Sequence, residues 1–123
     1  MQYQYVETPT EINEYRASSH IDTKSIPVKP QSTEILEGTV MALNTADEMY
    51  EPYDADGDDG LGVPAIILDE RVAADSSATP IAVNCNALFH GRVDDSKIIC
   101  DGSAGADAAT KAALPQVFFD ANA

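Results

Sequence analysis

The side chains with the plainest chemical capacity are the carboxylates of one short loop, Asp54-Ala55-Asp56-Gly57-Asp58-Asp59-Gly60. Aspartates at alternate positions resemble the start of an EF-hand loop, where oxygen ligands surround calcium. The register then fails. Counted from Asp54, the glycine such a loop requires falls on Asp59, and the closing bidentate acid falls on Ala65. The preceding Tyr50-Glu51-Pro52-Tyr53 is no helix. The loop reads as a solvated turn between two strands, in which Gly57 and Gly60 can take positive φ. A weak, opportunistic cation site is the other reading.

No other group assembles into a reaction centre. Ser18, Ser19 and His20 lie together but without a rigid scaffold, and Ser76 and Ser77 lack the GxSxG context of a nucleophile elbow. The pairs Asp58-Asp59 and Asp94-Asp95 are adjacent in sequence, so their side chains point apart into water rather than sharing a proton. His90 could meet Cys85 or Asp94, but reads as an ordinary strand-end histidine. Gly102-Ser103-Ala104-Gly105 lacks the lysine and the strand–loop–helix setting of a phosphate loop. Cys85 and Cys100 form no CxxC and read as two small buried residues in a reducing cytosol. The expectation is a protein that is not an enzyme, with no catalytic residues, no metal and no cofactor.

Charge narrows the partners. Seven Lys and Arg stand against 21 Asp and Glu in 123 residues, a formal net charge of -14. Phosphate backbones and anionic membranes repel such a surface, so no direct nucleic acid and no membrane contact is expected. No apolar run approaches the roughly 20 residues of a membrane-spanning helix. The start, Met1-Gln2-Tyr3-Gln4-Tyr5, has neither the basic nor the apolar region of a signal peptide.

The elements that must position these groups fall into two parts. Residues 1–33 contain no glycine and hold Pro9, Pro27 and Pro30 together with Tyr3, Tyr5 and Tyr15. Ile26-Pro27-Val28-Lys29-Pro30 must be extended, because each proline biases its predecessor away from the α region. This part reads as an extended N-terminal arm with little core of its own, which orders on a partner through its tyrosines.

Residues 34–123 read as a folded body carrying 17 acids against 4 bases. Strands are expected at Ile35 to Leu43, with Gly38 at a bulge or close approach, and at Gly62 to Leu68, with Pro64 at an edge or first position. A third runs from Ile81 to Phe89, with Ile81, Val83, Cys85, Ala87 and Phe89 on one face and Gly91 as its end. Lys97 to Cys100 is a short apolar piece, Ala106 to Leu114 a helix stopped by Pro115, and Val117 to Phe119 a last strand. The fold class is α+β and β-rich: a small compact β domain with one late helix. A domain of this size buries limited apolar surface, and self-association would add to it.

The order and spacing of these pieces resemble the head decoration proteins of lambda-type tailed bacteriophages. The resemblance starts at Val40-Met41-Ala42-Leu43-Asn44-Thr45-Ala46 and continues through Tyr53 to Leu68, with its aspartate- and glycine-rich loop and the strand after it. The turn Ala73 to Thr79, the stretch Leu88-Phe89-His90-Gly91-Arg92-Val93, the alanine-rich helix and Val117-Phe118-Phe119 follow in the family's order. It covers about three quarters of the chain, and no single motif is specific.

The resemblance implies a structural capsid decoration, or cement, protein. Such proteins form a homotrimer on the outer surface of the expanded head and clamp the major capsid protein shell against the pressure of packaged DNA. It implies residence in the virion, with host cytoplasm as the place of assembly. It also implies a division into a capsid-binding arm, 1–33, and a decoration domain, 34–123. Tyr3, Tyr5 and Val6 would be the anchors of an arm that adds a strand to a capsid sheet, with Ile26 and Val28 leading into the body. The alternative reading is an acidic calcium-binding or adhesive β module.

Overall fold

Short apolar runs broken by Gly, Pro and Asp cannot make long helices, and here they pair into sheet. A computed structural model describes residues 14–17 and 20–121. Its strands are β1 (Asp22–Val28), β2 (Val40–Asn44), β3 (Met49–Pro52), β4 (Pro64–Leu68) and β5 (Val83–Asp94). After a single 3-10 turn at Asp95–Lys97 come β6 (Ile99–Cys100), β7 (Ser103–Ala104), the helix α1 (Ala108–Ala113) and β8 (Val117–Asp120). The chain is β-rich with one short late helix, as its sequence predicts.

The main sheet runs β1-β3-β2-β4-β5-β8, and a further pairing of β1 with β5 closes the first five strands into a ring. Strand alternation then gives the ring an inside and an outside. Ile26, Val28, Met41, Ile66, Leu68, Cys85 and Ala87 form one buried cluster, joined by Ile35 and Val72. Val40, Ala42, Ile67 and Leu88, from the same strands, belong to a second cluster with Tyr15, Tyr53, Val93, Ile98, Leu114 and Val117. Both faces of β2 and β4 are therefore buried, which explains why their sequences read as unbroken apolar runs. A side chain of Val, Ile or Leu size contributes about 1.5–3 kcal/mol when fully buried, so this double layer supplies most of the cohesion of a small body.

The main departure from the sequence reading lies before residue 34. Ile26 and Val28 are 2% and 0% exposed and fill the ring's interior. β1 pairs along the whole of its length with β5, Ile26 opposite Cys85 and Val28 opposite Val83. These two residues thus build the core of the chain's own body, and a division after residue 33 would cut the ring open. The prolines disguised this. Lys29 donates its N–H to Tyr50 O of β3 at 2.9 Å, so the odd positions of β1 aim their N–H groups away from β5. Pro27 accordingly costs the β1–β5 ladder no hydrogen bond.

Smaller departures have equally local causes. The expected strand from Ile35 breaks at Gly38, whose φ of 90° forms a turn that Thr39 closes through its N–H and hydroxyl to Leu36 O. β3, hidden in a turn-rich stretch, forms a hairpin with β2. β5 begins after Ile81, which is 82% exposed, and runs through Gly91 instead of ending there. A register shift where Asp22 and Thr23 face His90 and Leu88 leaves Phe89 as the extra residue, so the inward face carrying Cys85 and Ala87 stops short of Phe89, which stays exposed, while Leu88 packs on the opposite face in the second cluster. Of the two places expected for Pro64, it takes the first position of a strand, and that strand is central. Asp107 caps α1, its carboxylate accepting the Thr110 N–H at 2.7 Å, and Lys111 lies 3.8 Å from Asp95.

Candidate functional site

The N-terminal segment meets the body through Tyr15, Arg16 and Ala17. These residues lie antiparallel to the distal half of β5: Asp94 donates its N–H to Tyr15 O at 2.6 Å, and Ala17 donates its own to Arg92 O at 3.0 Å. The Tyr15 ring is buried in the outer cluster. Its hydroxyl donates to the carboxylate of Asp69, just past the end of β4, and Arg16 grips the same group with Nε at 2.9 Å and with Nη2. The Asp69 side chain is 4% exposed, whereas that of Arg16 is half exposed. Burial first, then the bond to Asp69, pushes the Tyr15 phenol well above its ordinary range. Asp69 also donates its backbone N–H to Asn86 O at 2.9 Å, which fixes the carboxylate to the sheet.

β8 lies parallel to the same half of β5, with Phe118 opposite Arg92. Phe118 is 61% exposed, and the Arg92 guanidinium lies 5.9 Å from its ring centre while pairing with Asp120. Val63, Ile81 and Val83 are further exposed apolar side chains. A groove of about 270 Å3 is lined by Ile35, Leu36, Pro52, Tyr53 and Ile99, with Glu34 and Asp101 as its charged residues.

The 54–60 loop is organised by its backbone: Thr45 donates to Asp59 O at 2.8 Å, Gly57 to Asp54 O at 2.8 Å and Leu61 to Asp58 O at 3.1 Å. The Asp54 carboxylate accepts the Asp56 N–H at 3.0 Å, as in an Asx turn. Among the described residues no three acidic, histidine or cysteine side chains converge as a metal cluster would require. His90 meets Asp22 at 3.3 Å, on the solvent side, rather than Cys85 or Asp94. Cys85 and Cys100 are buried thiols in different clusters. Burial raises the Cys85 thiol above its usual range, and Cys100 Sγ lies 3.3 Å from Thr110 Oγ1.

Of the expected arm residues, Tyr3, Tyr5 and Val6 lie outside the described residues, while Ile26 and Val28 are interior. The sequence reading missed Arg16 and Asp69 altogether, since a contact between groups so far apart in sequence leaves no local pattern. It treated Tyr15 as part of the arm, although its neighbour Arg16 offers the charge that a buried carboxylate needs.

What decides the family is a match along nearly the whole chain. The model of the bacteriophage lambda head decoration protein D family matches residues 6–117. This chain belongs to that family. No curated protein matches it. The match starts at Val6 and so includes β1 and the Tyr15–Ala17 contact, well ahead of residue 40, where the motif resemblance starts. A head decoration protein works on the phage capsid, as part of the virion, and its role is structural. No helix among the described residues is long and apolar enough to cross a membrane.

Proposed function

We propose that this head decoration protein is a cement protein. It binds the outer surface of the expanded head as a homotrimer and holds the major capsid protein shell against the pressure of packaged DNA. It does so by contact alone, without catalysis. The observation that carries the reading is the family match over residues 6–117. The formal charge of -14 per copy supports it, because an acidic body suits an outer surface better than one facing DNA.

The capsid-binding arm, on this reading, is the part ahead of the body, with Tyr3, Tyr5 and Val6 as anchors. An extended segment can add a strand to an exposed sheet edge, its backbone providing affinity and its alternate side chains entering pockets. Three arms on one trimer bind with an avidity that exceeds a single arm's affinity by about 10²–10⁴.

The test is deletion of residues 1–13, which leaves β1 and Tyr15 in place, followed by measurement of occupancy on undecorated expanded heads. Occupancy is expected to collapse; unchanged occupancy would remove the arm's role. Native mass measurement of the intact chain tests the trimer, and a monomer at the concentrations of attachment counts against it.

A further inference from the structure

A carboxylate that is 4% exposed is costly unless its charge is met. Asp69 is met by the Tyr15 hydroxyl and by both donor sides of Arg16, more than fifty residues earlier in the chain. An apolar side chain at this place could pack against the Tyr15 ring, but it could not select one register for the segment that carries it. The buried charge does select it, because sliding Arg16 along β5 would strand the carboxylate without its partners. The two backbone bonds of Tyr15 and Ala17 to β5 complete the fix in direction.

We propose that Asp69 is a positioning residue for the N-terminal arm. By latching Tyr15 and Arg16 it sets the point and the direction at which residues 1–13 leave the body, beside the far end of β5. This rests on the reading that those residues grip the shell. With the latch closed, the arm is tethered at Glu14. With it open, the tether extends back to β1 at Asp22, and the added slack dilutes the arm around its target.

The chain carries its own reporter, because trypsin cuts after arginine and the Arg16–Ala17 bond lies inside the latched segment. Asp69→Asn keeps the size of the side chain and removes its charge. We expect it to speed cleavage at that bond about tenfold or more, since cutting tracks the open population. Occupancy on undecorated expanded heads should fall several-fold, while the melt of the body stays cooperative. Tyr15→Phe leaves the ring in the core and removes one hydrogen bond. It should shift both readings the same way by less, and it carries the test if Asp69→Asn does not fold. Asp47→Asn, which breaks the 3.2 Å pair with Lys29 elsewhere, should change neither.

Unchanged cleavage in both latch variants overturns the latch. Faster cleavage with unchanged occupancy overturns the positioning role. Normal attachment of the chain lacking residues 1–13 overturns the arm reading, and the positioning role with it, while the cleavage rates still report on the latch by themselves.

Discussion

Tyr53 Oη donates a hydrogen bond to Asp107 Oδ2 at 2.9 Å, joining the end of β3 to the N-cap of α1 across 54 residues of sequence. The same carboxylate accepts the Thr110 N–H through Oδ1. One aspartate thus holds a six-residue helix, too short to persist by itself, against the outer cluster.

Removing that cap should be felt directly. Asp107→Ala is expected to cost about 1 kcal/mol, the usual worth of an N-cap side chain. The Thr110 N–H, followed by the other donors, holds the Asp107 carboxyl below its ordinary value. Its contribution is therefore present above the unfolded-state value near 4 and is lost as pH falls through the lower folded-state value. Asp47 is lowered too, chiefly by the Met49 N–H, so the variant should lose only part of the acid dependence. Chemical denaturation between neutral pH and pH 2 would show the gap between the two proteins closing at the acid end.

Alkali acts on the other partner of that bond. Burial, and after it the bond to Asp107, pushes the Tyr53 phenol up to about 12. A raised folded-state value means that the native protein keeps a proton the unfolded chain gives up. Stability from this group is complete below the ordinary value near 10 and declines as pH rises towards 12. Tyr15 and Cys85 are displaced the same way, so the decline begins earlier and is shared. Tyr53→Phe should flatten the slope of stability against pH in that range by up to one proton, read from denaturation midpoints at intervals of half a pH unit.

Gly91 is the residue where β1 and the Tyr15 segment change places along β5. Its φ is 145°, and a Cβ there would come within 2.7 Å of Ile21 Cγ2 and 3.3 Å of His20 O. Gly91→Ala should cost about 1–3 kcal/mol from backbone strain alone, with the overlap added. Pairing it with Ile21→Ala relieves the side-chain overlap but not the strain. The double variant is therefore expected to be more stable than the sum of the two single changes allows. Thermal melts of all four proteins give the coupling, and strict additivity would contradict the close approach.

How much of this could be read beforehand depended on whether the cause was local. The β4 run, the Pro115 stop and the two buried thiols follow from neighbouring residues. β1 did so only in part: Pro27 and Pro30 gave an extended segment, but one read as an arm rather than as a strand of the body. What overrides them is the orientation of one missing N–H relative to β5, which only the paired structure reveals. The face of β5 was right at Cys85 and Ala87 but lost at Phe89, which a register shift rather than side-chain type leaves outside. The latch was beyond reach for a different reason: Asp69 looks like any other acid in a chain with 21 of them until Tyr15 and Arg16 are laid over it.

Ring closure by β1 has a consequence for synthesis. β1, the first of the described strands, must wait for the one that completes it, since Ile26 faces Cys85 about 60 residues later. At about 5–20 residues per second that interval lasts some seconds, during which Ile26 and Val28 lack the side of their cover that β5 provides. Nascent chains stalled before β5 should be captured by chaperones or degraded. The ring is therefore completed in one late step, when β5 arrives.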